Sequence, residues 1–136
     1  MKKYWRARRA AISIAALFFL AAAVSCAGPQ RQVSLNGISK KHVLDIKASN
    51  FKFEPNNIKV FRGDKVTFRI ENTSDTLHDF TLKDPGGKII RDVDLPAGKT
   101  VVVPVAFEKT GIYTFYCDRP FHKQLGMKGQ VEVVAK

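Results

Sequence analysis

The chain has 136 residues, 45% of them apolar, and a formal net charge of +11. Such a length suits a single domain, and the sequence contains no G-x-S-x-G, G-x-x-x-x-G-K-S/T or G-x-G-x-x-G, so serine-hydrolase, phosphate-loop and dinucleotide chemistry lack motif support. Five of the positive charges lie in residues 1–25, which carry no acid; the remainder stands near +6, with basic residues scattered among acids and apolar positions as on a solvated surface.

The first 25 residues differ from the rest. Lys2, Lys3, Arg6, Arg8 and Arg9 precede an uncharged apolar run, Ala10 to Val24. A bilayer span needs roughly 20 apolar residues, so this run reads as an export signal, with a short retained anchor as the alternative. Arg8-Arg9 raises twin-arginine export, but the residues around the pair match that motif poorly. Ala22-Ala23-Val24-Ser25-Cys26 fits a loose bacterial lipoprotein pattern that would place a lipid on Cys26, although Ala23 stands where the strong form has Leu. Ordinary cleavage after Ala27 competes with it. Either route gives an exported protein, periplasmic or on the outer surface, and lipidation would tether it to a membrane. Nucleic acid is a poor partner for an exported chain. The other cysteine is Cys117. A Cys26–Cys117 disulfide would consume the best metal ligand and is the less favoured pairing.

Residues 26–42 are polar with little periodicity and are expected to form a tether, with His42 in solvent. From Val43 to the end the pattern is β. Leu44, Ile46 and Ala48 alternate with polar neighbours, as do Val66, Phe68 and Ile70, and Val101, Val103, Val105 and Phe107 keep the same period. Turn-forming sequences separate these runs: Pro55-Asn56-Asn57, Arg62-Gly63-Asp64, Asp84-Pro85-Gly86-Gly87, Pro96-Ala97-Gly98 and Thr110-Gly111. Seven to eight short strands over residues 43–136 predict an all-β sandwich.

The most specific segment is Cys117-Asp118-Arg119-Pro120-Phe121-His122-Lys123-Gln124-Leu125-Gly126-Met127. A strand-like run ends at Tyr116 and another starts near Gln130, so one tight loop carries a thiol, an imidazole and a thioether at spacing C-x4-H-x4-M. Gly126 permits the close turn that a third donor from one loop requires. Parity puts Tyr113, Phe115 and Cys117 on one strand face. Soft sulfur with imidazole favours copper over hard cations, and a trigonal copper site needs a second imidazole, for which His78 is the better placed candidate. Met127 then stands as the axial donor. Two imidazoles, a thiolate and a long thioether contact suit both Cu(I) and Cu(II), so little moves when an electron arrives. A closed four-donor site leaves no position for substrate. Zinc is disfavoured by the methionine, a binuclear copper centre by the lack of a second loop cysteine, and a multicopper oxidase by a total of three histidines.

With these residues in place, the chain resembles the cupredoxins, the plastocyanin and azurin family of small blue copper proteins. Residues 43–136 carry the resemblance: Asn50-Phe51-Lys52-Phe53-Glu54-Pro55, Ile58 through Val66, His78-Asp79-Phe80, and Tyr116-Cys117-Asp118 through His122 to Met127. The loop spacing is nearest the auracyanin and rusticyanin branch. The resemblance implies a Greek-key sandwich and one type 1 copper per chain held by His78, Cys117, His122 and axial Met127; with the donor site closed, no enzyme activity is expected. One departure stands out. Asp79 follows the first histidine where plastocyanin and azurin often have Asn, and Asp118 follows the cysteine; two acids there repel unless held apart or bonded by backbone donors.

The function expected is a monomeric one-electron carrier between redox proteins, such as a cytochrome or a membrane respiratory complex with an acidic docking face. A copper-binding or copper-handling role without electron carriage is the alternative; one methionine and few histidines outside residues 1–25 favour the carrier.

Overall fold

A computed structural model describes residues 32–34 and 41–136. The expected signal, residues 1–25, and Cys26 lie outside the described residues. Ten strands form: β1 Gln32–Ser34, β2 Lys41–Ser49, β3 Lys52–Glu54, β4 Asn57–Phe61, β5 Lys65–Asn72, β6 His78–Lys83, β7 Ile89–Leu95, β8 Thr100–Ala106, β9 Gly111–Tyr116 and β10 Lys128–Val134. There is no helix among the described residues. Nine of these, β2 to β10, fall in the stretch expected to hold seven to eight; β3 has only three residues, too few to display an alternation, and β1 lies before that stretch.

The strands form two sheets, β1-β4-β10-β9-β6-β7 and β3-β2-β5-β8. Neighbours are antiparallel except β1 with β4, β4 with β10, and β2 with β5. The inward residues of the two sheets meet in an aromatic core. Phe53, Phe68, Phe80, Phe107 and Phe115 are fully buried. Phe80 stands 5.2 Å from Phe115 and 5.9 Å from both Phe53 and Phe68, centroid to centroid. Ring pairs at such distances add roughly 0.5–1.5 kcal/mol each beyond the area they bury. The predicted alternation is visible in β5, where Val66, Phe68 and Ile70 are buried between exposed or half-buried neighbours.

Residues 26–42 are not tether throughout. Gln32–Ser34 runs parallel to β4, with Gln32 opposite Asn57, and β2 already begins at Lys41. The side chain of His42, expected in solvent, is only 9% exposed, and its Nε2 stands 3.8 Å from an Asp64 carboxylate oxygen. Strand pairing satisfies backbone donors and acceptors whatever the side chains are, so a polar stretch without alternation can still join a sheet.

The topology places the ligand-bearing segments together. β6 lies antiparallel to β9, with Thr81 opposite Tyr116, so the start of β6 and the end of β9 meet at one end of the sandwich. β10 is antiparallel to β9 on its other side, with Lys128 opposite Tyr116. Residues 117–127 therefore loop over the same end at which His78 opens β6.

Candidate metal centre

Three donor atoms converge at that end. Cys117 Sγ stands 3.4 Å from His122 Nδ1 and 3.9 Å from His78 Nδ1, and the two Nδ1 atoms are 3.1 Å apart. A triangle with these sides has a centre about 2.0 Å from each corner, a metal–imidazole bond length and slightly under a metal–thiolate one. One thiol and two imidazoles around one such point fit a single copper ion. Cys117 and His78 are fully buried, and His122 is half-buried.

Backbone bonds hold the loop in this shape. The Cys117 N–H donates to the Met127 carbonyl at 3.0 Å, and the Met127 N–H donates to the His122 carbonyl at 2.9 Å. Met127, fully buried in the same core cluster as Cys117, is thus tied to both Cys117 and His122. Gly126 turns the chain just before it at φ +113°, a conformation that side chains resist. Phe121, immediately before His122, also has positive φ, 67°, uncommon for a bulky residue.

The segment that carries His78 has its own support. Asn72, buried at the end of β5, donates from its side-chain amide to the Thr76 carbonyl at 2.8 Å and to the Leu95 carbonyl at 2.7 Å. Its side-chain oxygen accepts from the Ser74 N–H and hydroxyl. This fixes the turn that precedes β6. Thr76 Oγ1 then faces His78 Nε2 at 3.4 Å. A proton on Nε2 directed at Thr76 leaves Nδ1 with its lone pair toward the centre, the usual way in which a neighbour orients a ligand imidazole.

Burial pushes the His78 imidazole below its ordinary range, the neighbouring His122 adding to the effect and Asp79 opposing it. Burial likewise pushes the Cys117 thiol up. Both shifts keep the groups neutral in the metal-free chain.

The two acids flagged in the sequence are held apart. Asp118 is exposed, and its backbone N–H donates to Asp79 Oδ1 at 2.7 Å. Asp79 is buried, with Oδ2 3.7 Å from Cys117 Sγ and 3.5 Å from Arg119 Nε.

All four expected residues, His78, Cys117, His122 and Met127, lie in or against this end of the core. Sequence reasoning missed three supporting features. Phe51 sets its ring edge-on to His122, centroids 5.2 Å apart; it lies in a stretch noticed only as part of a resemblance. The Asn72–Thr76 network had a signal in Asn72-Thr73-Ser74, side chains that readily bond nearby backbone. The Arg119 contact with Asp79 had none, since the two are forty residues apart in the chain.

Comparison with known proteins agrees with this fold. No curated protein matches the chain's sequence. Among solved structures, reduced auracyanin from Roseiflexus castenholzii superposes with a TM-score of 0.60 at 20% identity, covering 72% of this chain and 99% of its own. The metal-binding domain of the Cu(I) exporting P-type ATPase CopA of Streptococcus pneumoniae gives 0.62 at 15% identity, covering 79% and 99%. A multi-copper oxidase from Pediococcus acidilactici gives 0.59 at 18% identity, the match covering 79% of this chain but only 28% of the oxidase. At these identities the likeness is one of fold. The model of the cupredoxin-like domain matches residues 10–133, most of the sequence, and the chain therefore belongs to that family.

Proposed function

We propose that this protein is an exported one-electron carrier in which His78, Cys117 and His122 would hold one copper ion, with Met127 as a weaker fourth donor. The observation that carries this reading is the convergence of a buried thiol and two imidazole nitrogens on one point while a single imidazole reaches toward the surface. Copper held there would supply a one-electron couple, Cu(II)/Cu(I), the electron coming from a reduced protein partner and passing on to an oxidised one. The chain's own residues do the rest. His78 and His122 offer lone pairs, Cys117 gives up its proton on binding, and the packed core holds the donors in one arrangement. His78, Cys117 and Met127 are fully buried, which excludes water. Four donors leave no open position for a substrate, which supports a carrier and not an enzyme.

The rim around His122 suits brief docking. Phe121 is 74% exposed and Leu125 59%. Pro120 is exposed beside them, and Phe51 flanks the imidazole. On the same loop Lys123 is exposed and Arg119 half-buried, and Lys128, the first residue of β10, is exposed. Such charges favour an acidic partner face, a cytochrome or a membrane respiratory complex, mainly through association rate. The carrier works as a monomer, tethered through a lipid on Cys26. Mass spectrometry of the N-terminal peptide from native membranes decides that point; an unmodified Gly28 terminus means ordinary cleavage and no lipid.

A second reading, copper handling without electron carriage, draws on the likeness to the CopA domain. Delivery sites commonly expose labile methionines or histidines, whereas Met127 and His78 here are buried.

The test is the absorption spectrum of purified protein with Cu(II). One copper per chain and intense thiolate-to-copper charge-transfer colour are expected, with the colour lost in Cys117→Ser. A colourless Cu(II) complex, or colour that survives the substitution, sinks the blue-copper reading.

A further inference from the structure

Asp79 is a buried acid, 6% exposed, set directly against the sulfur of the centre. Its two oxygens have separate surroundings. Oδ1 accepts the Asp118 N–H at 2.7 Å and the Thr81 hydroxyl at 3.4 Å, which ties the loop after β9 to β6. Oδ2 stands 3.7 Å from Cys117 Sγ and 3.5 Å from Arg119 Nε. Arg119 reaches a second acid as well, donating from Nη2 to Asp94 at 2.7 Å. Asp79 and Asp94 lie directly opposite each other on β6 and β7, where like charges repel. Arg119, from the ligand loop, bridges them. Its buried Nε makes no aligned hydrogen bond, so its contact with Asp79 is one of charge.

We propose that Asp79 and Arg119 form a charge couple that sets the reduction potential of the centre, the carboxylate holding it down and the guanidinium holding it up. This inference rests on the copper reading above. A negative charge beside the sulfur favours the more positive, oxidised metal, and a positive charge favours the reduced one. Close charges in a poorly hydrated region interact far more strongly than in water and are little screened by salt. The tie and the charge are separable. Asn at position 79 keeps the Oδ1 acceptor for Asp118 and removes only the charge. Asp79 is thus a positioning residue through one oxygen and a tuning residue through the other.

The experiment is a spectroelectrochemical titration of the copper-loaded protein and its variants at high and low salt. Asp79→Asn should keep one copper and the colour, and shift the redox equilibrium toward the reduced form about tenfold or more, where tenfold is 59 mV for one electron. Arg119→Gln should shift it the opposite way, and less, because the guanidinium is partly in solvent. Arg119→Lys, which keeps the charge, should restore most of the wild-type value. The double variant should lie between the single ones. Neutralising the two residues without opposite shifts overturns the couple and leaves Asp79 with the loop tie alone. If Asp79→Asn does not fold, the contrast of Arg119→Gln with Arg119→Lys decides the matter by itself. A wild-type chain that takes up no copper fails earlier and differently, removing the copper reading as well.

Discussion

The Nδ1 atoms of His78 and His122 stand 3.1 Å apart with the Cys117 sulfur beside them, although 44 residues separate the two histidines. Two ring nitrogens at that distance can share a proton or share a cation. A proton satisfies the nitrogens alone, whereas a cation at the centre of the triangle satisfies all three donors. His78 is fully buried and its protonated form disfavoured by that burial, so the arrangement is better suited to a metal than to an extra proton.

Met127 should tune the centre without holding the metal. Met127→Leu preserves apolar volume, so its cost in stability should stay below about 1.5 kcal/mol. Copper and colour should remain. The reduction potential should rise by tens of millivolts, on a scale where about 59 mV is tenfold for one electron, because a weak donor that favours Cu(II) is gone. Stoichiometric loss of copper on this one change would make Met127 a primary ligand.

Phe121→Glu places an acid on the exposed rim beside His122. Electron transfer to the physiological partner should slow by about tenfold, mostly in association, while the absorption spectrum stays nearly unchanged. Raising the ionic strength should slow the wild type and narrow the difference, since exposed charges are screened. Transfer indifferent to both the substitution and salt would put the docking face elsewhere.

The metal-free protein should be most stable near neutral pH. Burial holds His78 below its ordinary 6.5, so the unfolded chain takes up that proton first and stability falls as pH drops below about 6.5. Burial holds the Cys117 thiol above its ordinary 9.0, so the unfolded chain releases that proton first and stability also falls as pH rises past about 9. Denaturant midpoints across pH check this. His78→Gln should flatten the acid limb and Cys117→Ser the alkaline one, and copper loading should erase the alkaline limb because the thiol proton has already left. Limbs unchanged in both variants would assign them to other groups.

Gly129, early in β10, has no room for a side chain. A Cβ there would collide with the Phe115 ring and come within 2.5 Å of the Asn56 carbonyl oxygen. The ring is locked in the aromatic core and the carbonyl is backbone that accepts the Gln130 N–H, so neither yields cheaply. Gly129→Ala should cost about 1–3 kcal/mol in chemical denaturation. An unchanged midpoint would mean that β10 can move away from β9 at no cost.

The β class and three of the donors were legible in the sequence for the same reason: both depend on local spacing. Val66, Phe68 and Ile70 face inward because successive side chains on a strand point to opposite faces, and the five-residue steps from Cys117 to His122 to Met127 lie within one loop. Tyr113, Phe115 and Cys117 share a buried face as their parity required. Tertiary structure decided what depends on which strands become neighbours. β6 lies between β9 and β7, and five of its six residues are buried, the polar Asp79 and Thr81 among them, although its sequence alternates as a half-exposed strand would. The same placement carries His78 to Cys117 across 39 residues, sets Asp79 against the sulfur and lets Arg119 reach two acids on two strands. It also pairs Gln32–Ser34 with β4 where the sequence read as tether. Sheet order is the outcome of packing the whole apolar set at once, and no local period encodes it.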